Sequence, residues 1–254
     1  MKFGLGKLSV LLSTLAVLGA TSAALFAPQF RVRDVRAEGG RTERHSLATE
    51  RAWESLRAHA MFAGAVRLIR VSPDRVAEDI VQNVPWIETV EVRRRLPSTL
   101  VLNIQEKVPL AFLQVGERMY ALDSRGSVIE EVRPEDALGS QLPIVRNERP
   151  SEAVAPGTAV VSTAVMDLLH EVVVLLPDRL GVGVAALIIP AAGAEEVHVR
   201  TDEGWLLLLD AKRNLPDQLR VFEHVVAEAL TSEDRKRLEY VDLRVAGKVF
   251  YRLR

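Results

Sequence analysis

The stretch Val84–Phe112 reads VPWIETVEVRRRLPSTLVLNIQEKVPLAF, and its pattern decides the fold around it. Val90 and Val92 alternate with Glu91 and Arg93, while Leu100, Leu102 and Ile104 alternate with Val101, Asn103 and Gln105. Successive side chains of a strand point to opposite faces, so this period of two predicts a hairpin with one face on a core and the other toward water. Leu96-Pro97-Ser98-Thr99 supplies the turn, because proline fixes its own backbone torsion and donates no hydrogen bond. Almost no residue of the stretch is suited to chemistry. A sheet of this kind binds by its edges and faces, not by a catalytic pocket.

Upstream, the period lengthens. Ser72-Pro73-Asp74 predicts a helix start, with Ser72 as cap, Pro73 in the first turn and Asp74 favourable to the helix dipole; Val76, Ile80 and Val84 then share a stripe. Thr49 is placed to cap a helix through about Ala60, with Ala52, Trp53 and Leu56 on one face. Phe30–Ala37 reads as a strand whose alternation breaks near Asp34, as at a bulge, and Glu38-Gly39-Gly40 ends it. The predicted order is strand, helix, helix, strand, strand. Before it, Leu8–Ala27 holds no charged residue, follows Lys2 and Lys7, and ends at Pro28. About twenty apolar residues suffice for one membrane-spanning helix. Thr21-Ser22-Ala23 has the small residues of a signal-peptide cleavage site, but the apolar length favours an uncleaved anchor. A leader of residues 1–7 cannot hold a domain, so residues 29–254 are expected outside the cell membrane and the amino terminus inside. Ala16, Ala20 and Ala24 lie four apart, which in so alanine-rich a helix carries little weight.

Downstream, strands and turns dominate. Met119–Leu122 and Ser127–Ile129 flank Asp123-Ser124-Arg125-Gly126, whose Asp and Gly at the first and fourth positions predict a type I turn. The segment Arg133–Pro156, rich in proline and charge, reads as loop. Thr158–Leu176 is predicted helical, with Val161, Val165, Leu168, Val172 and Leu175 on one face and Pro177 as the stop. Leu187–Ile189, Val197–Arg200 and Trp205–Leu209 read as strands, the latter two turning at Asp202-Glu203-Gly204. Asn214 opens a helix to about Leu230 that buries Leu215, Leu219, Phe222 and Val226, and Tyr240–Val245 with Lys248–Leu253 form a last hairpin around Ala246-Gly247. The expected fold class is α+β.

Composition narrows the function. The 254 residues carry 33 Lys and Arg against 34 Asp and Glu, a balance that argues against nucleic acid as a partner. With no cysteine, a disulfide, an iron–sulfur cluster and a cysteine zinc site are excluded. His45, His59, His170, His198 and His224 include no pair at metal-ligand spacing, and HExxH is absent. Glu195-Glu196 and Asp202-Glu203 flank a short strand, where neighbours face opposite ways, so they read as solvated hairpin charges. Gly181-x-Gly183 lacks the third glycine and the lysine of a phosphate loop, and neither GxSxG nor SxxK occurs. Arg93-Arg94-Arg95 has the charge to meet anionic lipid or phosphate, but reads first as charges alternating sides at a strand end. Neither a catalytic residue nor a cofactor is expected.

Pro85-Trp86-Ile87, then Val90-x-Val92-x-Arg94, then Leu96-Pro97-Ser98-Thr99-Leu100, then Gln105-Glu106-Lys107-Val108-Pro109-Leu110-Ala111 resembles the FtsQ/DivIB bacterial cell-division family. Those proteins carry this pattern in a polypeptide-transport-associated (POTRA) domain, with an aromatic residue more usual where Leu96 stands. Tyr240-Val241-Asp242-Leu243-Arg244 is similar to the family's Y-V-D-L-R segment near the chain end. The resemblance implies a transmembrane helix at 8–27, a POTRA domain of order β-α-α-β-β at 29–108, and a mixed β-rich domain with two helices at 109–254. It also implies a non-enzymatic scaffold at the division septum that joins FtsB- and FtsL-type partners and helps to regulate septal peptidoglycan synthesis. In the family the strand after Y-V-D-L-R pairs with a strand of FtsB, which by position implicates Tyr240, Val245, Lys248, Val249, Phe250, Tyr251 and Arg252 here. Val245 stands where some members place an aromatic anchor. Read without the resemblance, that strand is an edge that either stays solvated or accepts another strand. The alternatives are a POTRA-type chaperone in outer-membrane protein assembly or secretion, and a secreted hydrolase of unrecognised site.

Overall fold

The computed structural model describes residues 13–16, 19, 28–58, 66–149, 154–191 and 195–254. They form two compact units that divide between Glu106 and Lys107. Among the described residues no helix is long and apolar enough to cross a membrane. The predicted span Leu8–Ala27 lies almost wholly outside them, as does His59.

In the first unit the order is β1 (Asp34–Glu38), α1 (His45–Ala58), α2 (Pro73–Asn83), β2 (Ile87–Arg95) and β3 (Thr99–Glu106). The sheet order is β1-β3-β2, with β3 parallel to β1 and antiparallel to β2. The alternation in the hairpin has its expected cause: Val90, Val92, Leu100, Leu102 and Ile104 are buried on one face, with Ala48, Ala52 and Leu56 of α1 and Val76 and Ile80 of α2 also in the core. On the opposite face the register aligns Asp34 with Thr99 and Arg95, and Arg36 with Val101 and Arg93. Two boundaries differ from expectation. β1 begins at Asp34, where the alternation breaks, and Arg31 makes only an isolated pairing with Arg67. α1 begins at His45, after a short 3-10 turn at Thr42–Arg44, so Thr49 is interior; its hydroxyl donates to the Ser46 carbonyl instead of capping. Ser72 does sit at the cap of α2 with Pro73 in the first turn, although its side chain makes no capping bond.

The second unit is built on one mixed nine-stranded sheet, in the order β12-β11-β10-β9-β8-β7-β4-β5-β6. Its elements are β4 (Ala111–Val115), β5 (Arg118–Leu122), β6 (Val128–Val132), α3 (Pro134–Leu138), β7 (Ile144–Asn147), α4 (Thr163–Leu180), β8 (Val184–Ile189), β9 (Glu196–Thr201), β10 (Leu206–Asp210), α5 (Leu215–Ala229), α6 (Ser232–Lys236), β11 (Leu238–Asp242) and β12 (Phe250–Leu253). The register carries one row across eight strands: Tyr120, Leu113, Val145, Leu187, Val199, Leu207, Val241 and Tyr251. All but Tyr251 are buried, and they share one cluster with Val165, Leu168, Leu169, Val172 and Leu176 of α4 and Leu215, Leu219 and Phe222 of α5. One face of the sheet is thus covered by two amphipathic helices, which is the periodicity of both elements made solid.

Three predictions fail in this unit for physical reasons. The helix predicted from Thr158 starts at Thr163, where the Ser162 hydroxyl caps it by accepting from the Val165 N–H at 3.3 Å, so Val161 precedes α4. The segment Arg133–Pro156, expected as loop, contains α3 and β7, and β7 lies between β4 and β8, parallel to both. Four residues are too short to show a period. Pro177 does not stop α4; the helix continues to Leu180 and ends where Gly181 takes the left-handed conformation at φ 65°.

Candidate partner-binding site

The seven residues implicated from the sequence fall on one hairpin. β11 ends at Asp242 and β12 starts only at Phe250, so Val245 and Lys248 belong to the connecting turn, where the Lys248 N–H donates to the Val245 carbonyl at 3.2 Å. Val249 immediately precedes β12. The register sets Tyr240 beside Arg252, Val241 beside Tyr251 and Asp242 beside Phe250. Alternation then divides the hairpin: Val249, Tyr251 and Leu253 lie on the helix-covered face, while Phe250 and Arg252 lie on the open face. Val249 and Leu253 pack against the core, whereas Phe250 is 50% and Tyr251 40% exposed.

β12 is the last strand of the sheet. Its inner side is occupied, since the Arg254 N–H donates to the Arg237 carbonyl at 2.7 Å. Backbone groups alternate sides along a strand, so Phe250 and Arg252 also point their N–H groups toward β11, and Tyr251 and Leu253 point theirs away. The opposite edge, β6, differs. There Val128 donates to Thr158 at 2.9 Å and accepts from the Gly157 N–H at 2.7 Å, so a following segment covers its start. Among the described residues nothing pairs with the outer side of β12.

The open face beside this edge is buttressed by charge. Arg244 donates from its backbone N–H, Nε and Nη2 to Asp242 at 3.0, 2.9 and 2.7 Å, and from Nη1 to Glu196 at 2.6 Å. The Leu243 N–H continues toward β10 by donating to the Leu208 carbonyl at 3.0 Å, and Arg213 donates to the Leu243 carbonyl. The hydrogen bonds of Arg244 hold the Asp242 carboxyl below its ordinary value against the opposing effect of burial, and the same bonds raise the Arg244 guanidinium. His198 sits in the same row as Leu208, Asp242 and Phe250. Burial, reinforced by the positive charge of Arg244, pushes its imidazole below 6.5 and so keeps it neutral near pH 7. Its Nε2 lies 3.6 Å from Glu196 Oε2. This network was missed from the sequence. Glu196 read as a solvated hairpin charge, yet it ties β9 to the end of β11; Glu195 accepts from the Ser162 hydroxyl at 2.5 Å, and Glu203 accepts from Trp205 Nε1 at 2.9 Å and Arg235 Nε at 3.1 Å. The one available signal was the Asp-x-Arg spacing of the Y-V-D-L-R segment. Among the described residues no group of three metal-ligating side chains lies close enough to hold an ion.

Fold and edge together define a class: an α+β chain with a POTRA unit of order β-α-α-β-β, followed by a β-rich unit whose sheet is left open at its final strand. The comparisons with known proteins agree. The POTRA domain of FtsQ type matches residues 55–107, and the C-terminal region of cell division protein FtsQ/DivIB matches residues 111–244, more than half of the chain. The chain belongs to the FtsQ/DivIB family of cell division proteins. The cell division protein FtsQ of Anaeromyxobacter sp. (strain K) is 28% identical over 235 residues, covering 86% of this chain and 72% of that protein. Similarity to the FtsQ proteins of Novosphingobium aromaticivorans, 39% over 61 residues, and Caulobacter vibrioides, 39% over 75 residues, covers 24% and 30% of this chain and 19% and 24% of those proteins. That the region after the POTRA unit matches the FtsQ/DivIB C-terminal region weighs against the outer-membrane assembly alternative.

Proposed function

We propose that the chain is a non-enzymatic divisome scaffold of the cytoplasmic membrane, which accepts a strand of an FtsB-type partner at β12. In this reading residues 1–7 are cytoplasmic, 8–27 span the membrane, and a POTRA domain at 29–108 and a β domain at 109–254 lie outside, at the septum. With an FtsL-type protein held through the FtsB-type one, the complex helps to control septal peptidoglycan synthesis.

One observation carries the reading: β12 ends the sheet with outward N–H groups at Tyr251 and Leu253 and an exposed aromatic ring on each side of the strand. Magnitudes say what the partner has to bring. A main-chain hydrogen bond contributes only about 0.5–1.5 kcal/mol net. A four-residue edge therefore falls short of the roughly 8 kcal/mol of micromolar binding. Covering the part of the Phe250 and Tyr251 rings that is still exposed adds about 1 kcal/mol each, which makes them the expected anchors of the interface.

Tyr251→Pro removes an outward donor and leaves the ladder to β11 intact, because proline is tolerated where the strand N–H faces outward. The variant should melt like the parent and lose co-purification with the FtsB-type partner by at least about tenfold. Full binding by a folded Tyr251→Pro protein sinks the edge assignment. Phe250→Glu should weaken capture similarly with the backbone donors untouched. In cells, depletion should produce filaments or chains; normal division on depletion would remove the septal role altogether.

A further inference from the structure

One charged surface of the first unit is not absorbed by partner binding. The Arg33 N–H donates to the Ser98 carbonyl at 2.9 Å, so β1 starts beside the β2–β3 turn. Arg31 pairs with Arg67 just before that point. The chain leaving Leu8–Ala27 at Pro28 therefore reaches the unit at the end that carries Leu96, Pro97 and Ser98. The same end gathers Arg31, Arg33, Arg94 and Arg95. Arg31, Arg33 and Arg95 are exposed, and Arg94 donates twice to the Val71 carbonyl, at 3.1 and 2.7 Å, which anchors the side chain without neutralising it. On the strands, Asp34 is paired with Arg36 at 2.6 Å and Glu91 with Arg93 at 2.7 Å. At the tip of the turn Leu96 is 66% exposed among these cations. The far end of the same face is different, with Glu38, Asn103 and Glu91 in one row.

We propose that this end of the first unit docks on anionic phospholipid headgroups of the membrane that holds residues 8–27, with Leu96 entering the interface and the arginines contacting phosphates. The inference rests on the membrane anchor proposed above. Continuity with that segment selects a lipid surface as the occupant: arginines within a few residues of a span are held where the surface potential of anionic lipid acts, inside a Debye length. Guanidinium forks suit phosphate oxygens, and an apolar tip surrounded by cations is the pattern of an interfacial contact. Docking would fix the base of the unit on the membrane plane.

The chain has no native cysteine, so Leu96→Cys and Gln105→Cys each give a single labelling site, one in the β2–β3 turn and one near the far end of β3. The full chain is placed in nanodiscs of phosphatidylcholine alone or mixed with phosphatidylglycerol, with a spin label on the lipid headgroups. A fluorophore at 96 should be quenched in the anionic discs at least about twofold more than in the neutral ones, and one at 105 should not. Replacing Arg31, Arg33 and Arg95 with Gln should lower the docked-to-undocked ratio about fivefold per arginine. Raising the salt should release the parent chain in the same way, without any substitution. Equal quenching in both discs, or quenching indifferent to salt and to the triple change, overturns the inference and leaves the anchor standing. A chain that enters neither disc overturns the anchor, and the docking with it.

Discussion

Asp123 accepts Lys107 Nζ at 2.8 Å and the N–H groups of Arg125 and Ser127 at 3.0 and 2.9 Å, with the two charged side chains only 4% and 10% exposed. Burial pushes this carboxyl upward, but Lys107 and the two N–H donors outweigh it, so the folded value lies below the ordinary 3.8. The unfolded chain therefore takes up the proton first. The stabilisation is complete above about pH 5 and drains away as the pH falls through 3.8 toward the folded value. Asp123→Asn should flatten that acid limb in denaturant titrations. At pH 7 it should cost about 3 kcal/mol, because removing one partner leaves the Lys107 charge buried and uncompensated. A loss at pH 7 that persists undiminished at pH 3 would contradict the assignment. In the sequence Asp123 was legible as the first residue of a turn, and Gly126 donates back to it at 3.0 Å as expected. The tie to Lys107 was not legible, because a pairing sixteen residues apart depends on how β4 and β5 fold back on each other. Arg244 teaches the same lesson: Asp242 is its neighbour in sequence, while Glu196 reaches it only across the sheet.

Glycines close two elements of the second unit, α4 at Gly181 and the β5–β6 turn at Gly126. Gly181 closes α4 in the left-handed region with open space around its Cα, so Gly181→Ala should cost only the backbone strain, about 1–2 kcal/mol. Gly126 has φ 75°, and a Cβ there would run into the Val161 carbonyl, so Gly126→Ala adds overpacking to the strain and should cost about 2–5 kcal/mol. Urea titrations of the two variants check the order; equal losses would mean that the segment before α4 yields. The strongly periodic elements were readable because each spans enough residues to show its stripe: the β2–β3 hairpin, α4 and α5 all bury the faces that the pattern selects. β7 escaped because Ile144–Asn147 has parallel partners on both sides and only one fully buried residue, Val145. Proline inside α4 misled in the other direction: the packing of Leu176 and Leu180 carries the helix past Pro177.

The described residues form two hydrophobic cores on either side of Glu106–Lys107, and each should unfold as its own cooperative transition. Leu102 and Leu207 are fully buried, one in each core. Leu102→Ala and Leu207→Ala should each cost about 2–5 kcal/mol, and calorimetry should find each shifting a different transition. A single transition moved by both would mean that the units melt together. By itself the sequence determined what is local or patterned: the period that separates buried from solvated faces, the apolar run at 8–27, the order of the first unit's elements, and the motifs that connect both units to one family. Only the tertiary structure decided which strands are neighbours. It set β3 between β1 and β2, threaded β7 between β4 and β8, and left β12 outermost, with its far side open among the described residues. The reason lies in the backbone. Alternation specifies which side of a strand meets the core, but every strand offers the same N–H and C=O groups to its neighbours, so adjacency is fixed by the long-range packing of α4 and α5 on the shared sheet.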